Sequence, residues 1–207
     1  MQRFSRRAWV GDLLARGIVA GLFLALAANL LADFLRTGRV TGLLLLLSEL
    51  LVVVFTITRR QTLDVDRSVA ALLLTIASVA GPPLLRTSTL GGLVPDGLTV
   101  SLSAVGLAIV IIGKVTLGRS FGVVPANRGV VIGGPYALVR HPIYAGYVLT
   151  HLAFVAAHPL LRNLIIIAIA DAALVGRAFL EERTLEKDDR YKAYCRRVAW
   201  HLVPGVF

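Results

Sequence analysis

The chain has 207 residues, of which 57% are hydrophobic and only 16% charged, and it carries a formal net charge of +10. So apolar a composition excludes an ordinary soluble domain, because the apolar residues come in long blocks of the kind that cross a bilayer as helices. The positive charge lies at the ends of those blocks, where topology signals belong, which excludes nucleic acid as its partner.

The start, MQRFSRRAWVGDLL, is basic and leads into an apolar run. No short hydrophobic region followed by a small-residue cleavage site stands out, so this stretch reads as a cytoplasmic flank. The first block runs roughly from Leu13 to Leu35, with Arg16 at one end and Asn29 and Asp33 near the other. The second runs from about Val40 to Thr58, with Glu49 near its middle. The third runs from about Ser68 to Leu85 and stops at Gly-Pro-Pro, a strong breaker. The fourth, after a Gly-rich link, runs from about Leu98 to Gly118. A less apolar segment, Arg119 to Pro142, precedes two runs, Ile143 to Ala157 and Leu160 to Leu180, which Pro159 divides into a tight helical hairpin. The tail from Glu181 is charged and helix-prone until Pro204. The pattern predicts an all-α fold: a polytopic transmembrane helical bundle of about four spans plus the hairpin, forming one integral membrane domain over 1–207.

Basic residues set the orientation. Arg3, Arg6, Arg7, Arg59, Arg60, Arg67, Arg119, Arg128 and Arg140 fall on one side, together with the basic tail from Arg183 to Arg197. The other side holds Arg36, Arg39, Arg86 and Arg162. The richer side, with both termini, is assigned to the cytoplasm, where its arginines also attract anionic lipid headgroups. Cys195 is the only cysteine, which leaves no internal disulfide and no multi-cysteine metal site, and no metal is expected.

Two segments gather the unusual chemistry: LGRSFGVVPANRGVVIGGPYALVRHPIYAGY, 117–147, and RAFLEERTLEKDDRYKAYCRRV, 177–198. Gly134, Tyr136, Arg140, His141, Pro142, Tyr144 and Gly146 form a Gly-x-Tyr, Arg-His-Pro-x-Tyr, Gly pattern. Glu181 and Glu182 follow as a pair, and Tyr191 and Tyr194 as a Tyr-x-x-Tyr. With these motifs in this order around a hairpin, roughly residues 114–207 resemble the isoprenylcysteine carboxyl methyltransferase family of integral membrane enzymes. One departure lies in the tail, where relatives have Val-Pro after the second tyrosine and this chain has VAWHLVP, with proline only at Pro204.

The resemblance implies S-adenosylmethionine (SAM) as cofactor, with S-adenosylhomocysteine as product, bound at the cytoplasmic face under a lid of loop and tail. Residues 1–118 would then be the N-terminal transmembrane helices and 119–207 the cofactor-binding and catalytic region. Carried over position by position, the cofactor contacts are Arg128, Gly129, Val130, Val131, Tyr136, His141, Pro142, Ile143, Tyr144 and Glu181. Arg177 stands where relatives hold the substrate carboxylate. The chemistry agrees: tyrosine and histidine faces suit adenine and a sulfonium cation, Glu181 can accept from ribose hydroxyls or an ammonium, and an arginine fork matches a carboxylate. Methyl transfer to a carboxylate needs no general base, so alignment and desolvation are the enzyme's main contributions.

The acceptor implied is lipophilic and enters from the bilayer, with a carboxylate, a small isoprenoid acid or a phospholipid amine all open. Two other classes stay open at this level: an NADPH-dependent membrane reductase of the sterol-reductase type, which carries a similar Arg-His-Pro-x-Tyr element, and a non-catalytic membrane assembly protein. Plainer readings stand beside the sharp ones. Tyr147 reads as an interfacial belt residue. Arg177 and Glu181 have the spacing of an ordinary surface pair. Tyr191 and Tyr194 read as packing residues that close the lid. His151, His158 and His201 read as structural, while Glu49 and Asp171, ionisable within apolar blocks, are candidates for function.

Overall fold

The computed structural model describes residues 13, 14, 16, 17, 20, 21, 24, 27, 28, 31, 35, 50–61, 65–81, 84–86 and 91–207. Asn29, Asp33 and Glu49 lie outside the described residues. Those described between 13 and 35 are helical, as is the stretch 50–58. Helices follow at α1 (Val69–Ala80), α2 (Asp96–Leu117), α3 (Pro142–Ala157), α4 (Leu161–Leu185) and α5 (Asp189–Arg197), with short 3-10 turns at Gly118–Ser120 and Gly134–Ala137. Among the described residues there is no sheet, only a bridge between Val65 and Ala126.

Local chemistry sets the boundaries. Ser68 caps α1 by accepting the Ala71 N–H at 3.1 Å. The helix ends at Gly81 ahead of two prolines, short of the Leu85 expected from hydropathy, because neither proline has an N–H to extend it. Pro142 opens α3 at the first helical position, where its missing N–H costs nothing. Beyond Leu185 the charged tail breaks before a separate helix, α5, which ends at Arg197 where Val198 turns extended. The tail is therefore not one helix to Pro204.

Asp96–Ser120 and Leu161–Leu185, 25 residues each, are long and apolar enough to cross a membrane. The apolar helices α1 and α3 are shorter, with 12 and 16 residues. At about 1.5 Å per residue they reach roughly 18 and 24 Å.

Helix α2 packs on α3, and α1 on α4. The first contact is made by small residues. A Cβ on Gly106 would stand 2.8 Å from the Gly146 carbonyl oxygen, and one on Gly146 would stand 2.6 Å from that of Gly106. Two backbones this close need glycine on both sides, a packing device favoured where lipid removes the hydrophobic drive between helices. Outward faces carry large apolar groups, such as Leu72, Ile76, Val105, Ile112, Leu164 and Ile169, while Thr75, Ser78, Thr99 and Asn163 are buried. The fully buried Asn163 fastens the hairpin end: its amide donates to the Arg86 and His158 carbonyls at 2.8 and 3.0 Å and accepts from the Arg86 N–H at 3.1 Å.

Candidate active site

At the far end of the hairpin the chain crosses itself three times, and Glu182 sits at the crossing. Its Oε1 meets His141 Nε2 at 2.8 Å and His201 Nδ1 at 2.7 Å, and its Oε2 accepts from Arg140 Nη1 at 3.0 Å. A carboxylate oxygen accepts, so each ring presents an N–H to it. Arg140 spends its other nitrogens on the tail: Nε on the Val198 carbonyl at 2.8 Å and Nη2 on that of Cys195 at 3.2 Å. The Arg140 and His141 N–H groups donate to the Trp200 and His201 carbonyls at 2.9 and 2.8 Å. Hence VAWHLVP closes the tail over the loop by backbone pairing and a histidine, without the Val-Pro of relatives. His141, Glu182 and His201 place ligand atoms within 4.8 Å of one another, the composition of a metal site. The Arg140 guanidinium on the same carboxylate already supplies the compensating positive charge.

One residue earlier on α4, Glu181 faces α3, where its Oε2 accepts from the Tyr144 hydroxyl at 2.9 Å. The Tyr144 ring stacks on His141 with centroids 5.3 Å apart and planes 7° off parallel. The Arg177 guanidinium lies 5.4 Å from the same ring. Tyr144 thus stands between Arg177 and Glu181, and the simple surface pair of those two residues does not form. Arg177 is only 6% exposed. It donates to Ser78 Oγ at 2.9 Å and to the Val123 carbonyl at 2.6 Å, while its buried Nε has no partner among the described residues. Among the described residues, no carboxylate forms an ion pair with it.

The loop 119–136 folds beside this cluster. Arg128 is buried and turns back over Gly122 toward the Val124 carbonyl. Gly129 has φ +104°, a left-handed conformation, and any side chain there would also run into Arg60. Val130 packs on Tyr191, Tyr194 and Val198, so loop and tail share one apolar cluster. The Tyr194 hydroxyl donates to the Tyr136 carbonyl at 2.7 Å. Burial pushes the Tyr136, Tyr191 and Tyr194 hydroxyls well above the ordinary tyrosine range, and burial also raises the Cys195 thiol. These tyrosines stay neutral and act as packing groups and donors.

A second polar chain runs deeper between the helices. Lys114 of α2, fully buried, lies 5.5 Å from the Tyr147 ring, which stacks near His151, whose Nδ1 meets Asp171 at 2.6 Å. Tyr147 therefore faces Lys114 and His151 within the bundle.

The structure brings Tyr136, His141, Tyr144, Glu181, Arg177 and Val130 into one connected group. Pro142 and Ile143 are buried at the start of α3, and Ile143 packs on α2 against Gly113. Arg128 is tied up within its own loop, and Val131 is half-buried. Sequence reasoning passed over Glu182 and His201 as site-forming residues. The signal for Glu182 was the acidic pair itself; His201 had none, because its partner lies across the fold.

The model of the Isoprenylcysteine carboxyl methyltransferase (ICMT) family matches residues 99–191, and over this segment, a little under half of its length, the chain is similar to that family. The match supports a SAM-dependent methyltransferase activity. No curated protein matches the chain.

Proposed function

We propose that this chain methylates a carboxylate on a lipophilic acceptor, with both termini and the loop–tail cluster on the cytoplasmic face of a four-span bundle plus hairpin. The observation that supports it most is Arg177: a buried guanidinium held by neutral acceptors, with one N–H unspent. A buried cation in that state favours an anion, and its fork geometry suits a carboxylate. An amine acceptor would bring a second cation to the same place.

The donor side fits the family's cofactor. Among the described residues, Glu181 keeps one carboxylate oxygen free of protein bonds beside Tyr144, available to hydroxyl or ammonium donors. Tyr136, the stretch His141 to Tyr144 and the segment Arg128 to Val131 are the remaining proposed contacts. When bound, SAM supplies an electrophilic methyl group on a sulfonium. The residues of this chain then align the acceptor, keep water out through the Tyr191–Tyr194 cluster, and hold the donor against Tyr144. No proton has to move, since the acceptor oxygen is already ionised.

The test uses purified protein, isotopically labelled SAM and a prenylated cysteine acid as acceptor. Arg177→Ala should raise KM for the acid and lower kcat/KM by about a hundredfold, in line with a lost charge-assisted bond. Arg177→Lys should recover part of it, while S-adenosylhomocysteine affinity stays near that of the parent. Full turnover in Arg177→Ala would remove the role given to Arg177. Methylation of amines but not acids would remove the carboxylate reading.

A further inference from the structure

We propose that the cleft between the end of the 50–58 helical stretch and the turn after α2 is a phosphate-binding site. Its ligand is a phosphate group, supplied either by an anionic lipid headgroup or by a free phosphate anion. The proposal stands apart from the methyl-transfer reading.

The cleft has a volume of about 620 Å³ and is lined by Arg16, Arg59, Arg60, Gln61 and Arg119, with no acidic side chain on its wall among the described residues. Backbone carbonyls hold two of the arginines in place. Arg16 donates to the Ile57 and Arg59 carbonyls, and Arg119 Nε donates to that of Thr58 at 3.1 Å. The Arg60 N–H in turn donates to the Arg119 carbonyl at 2.8 Å, fixing the two sides of the cleft together. These contacts cap the carbonyl end of a helix, where cations are favoured. Capping accounts for Arg16 and for one nitrogen of Arg119. It leaves the terminal nitrogens of Arg119 and the whole Arg60 guanidinium without a protein partner among the described residues, both exposed to the cleft.

Converging guanidiniums with unspent forks match the tetrahedral oxygens of a phosphate, in charge and in geometry. The cleft also lies at the end of α2 on the basic side of the chain, where a bilayer presents headgroups. It borders the loop as well: Arg60 Nη1 would stand 3.1 Å from a Cβ on Gly129, so an occupant that orders Arg60 also buttresses the 128–131 segment.

The experiment compares the full chain with Arg60→Gln/Arg119→Gln in detergent. Native mass spectrometry measures retention of phosphatidylglycerol against phosphatidylcholine. Thermal unfolding with inorganic phosphate, against chloride at matched ionic strength, measures the free anion. The parent should prefer phosphatidylglycerol, and the variant should lose that preference by about tenfold, the size of one or two charge-assisted bonds. Stabilisation by inorganic phosphate that the variant lacks, without a lipid preference, would support the site with a free anion as its ligand. A parent that responds to neither, or a variant that responds like the parent, would overturn the proposal. If the double variant melts early without ligand, Arg60→Gln alone carries the test, since the Arg60 side chain makes no protein bond among the described residues.

Discussion

Two neighbouring carboxylates at the end of α4 have opposite surroundings. Glu182 is buried and holds Arg140, His141 and His201 at once, while Glu181 is half-buried and, among the described residues, bonded only to Tyr144. Replacing Glu182 by Gln leaves Arg140 without its charge partner, and breaking a buried pair in this way costs about 3 kcal/mol. Glu182→Gln should therefore lower the melting temperature in detergent markedly. Glu181→Gln should leave it within a degree or two of the parent, as surface-like changes do, and show its effect as a smaller stabilisation by S-adenosylhomocysteine. Equal melting temperatures in the two variants would refute this division of roles. From sequence the pair was visible as a motif, but which member anchors the fold was not: periodicity places residues on a helix face, and only the tertiary fold places His201 and Arg140 against that face.

At the scale of helices, the hydropathy blocks located α2, α3 and α4 to within a few residues, because bilayer-length apolar runs and Pro142, Pro159 and Gly118 mark their limits directly. The pairing of α2 with α3 was less legible. Gly146 stood out only as part of a family pattern, whereas its physical reason is the Gly106 backbone across the contact. The same contact predicts that Gly146→Leu and Gly106→Leu each force the helices apart and cost several kcal/mol, by overpacking against backbone that cannot yield. Gly97→Ala, where a Cβ meets nothing within 4 Å, is the matched control and should be close to neutral. Thermal unfolding in detergent checks all three, and a stable Gly146→Leu would show that the helices do not meet as closely as described. Lys114, His151 and Asp171 escaped a joint reading for a related reason: each lies on a different helix, so no spacing along the chain connects them.

Across the whole molecule, loop, hairpin and tail are joined by a cluster of neutral tyrosines. Unfolded, these hydroxyls ionise near their ordinary value of 10.0; folded, burial holds the proton to higher pH. The sign follows: their packing contributes its full stability below about pH 10, and the contribution is lost as pH rises through the folded values. Melting temperature should therefore fall steeply on the alkaline side of 10, with tyrosinate absorbance appearing together with unfolding rather than before it. Tyrosinate that forms in the intact fold would contradict the burial of this cluster. The loss of the tail's proline, which reads from sequence as a loosened end, is answered in space by Trp200 and His201.

The crossing at Glu182 joins three stretches made at different times during synthesis. Arg140 and His141 come first, Glu182 follows after a full hairpin, and Val198 to His201 come last. A nascent chain halted ahead of residue 195 would already carry its apolar helices, yet Arg140 would lack the tail carbonyls it grips and Glu182 would lack one of its two histidines. Formation of the apolar helices and completion of the polar cluster are thus separate events in the life of the polypeptide, and the second waits for the tail.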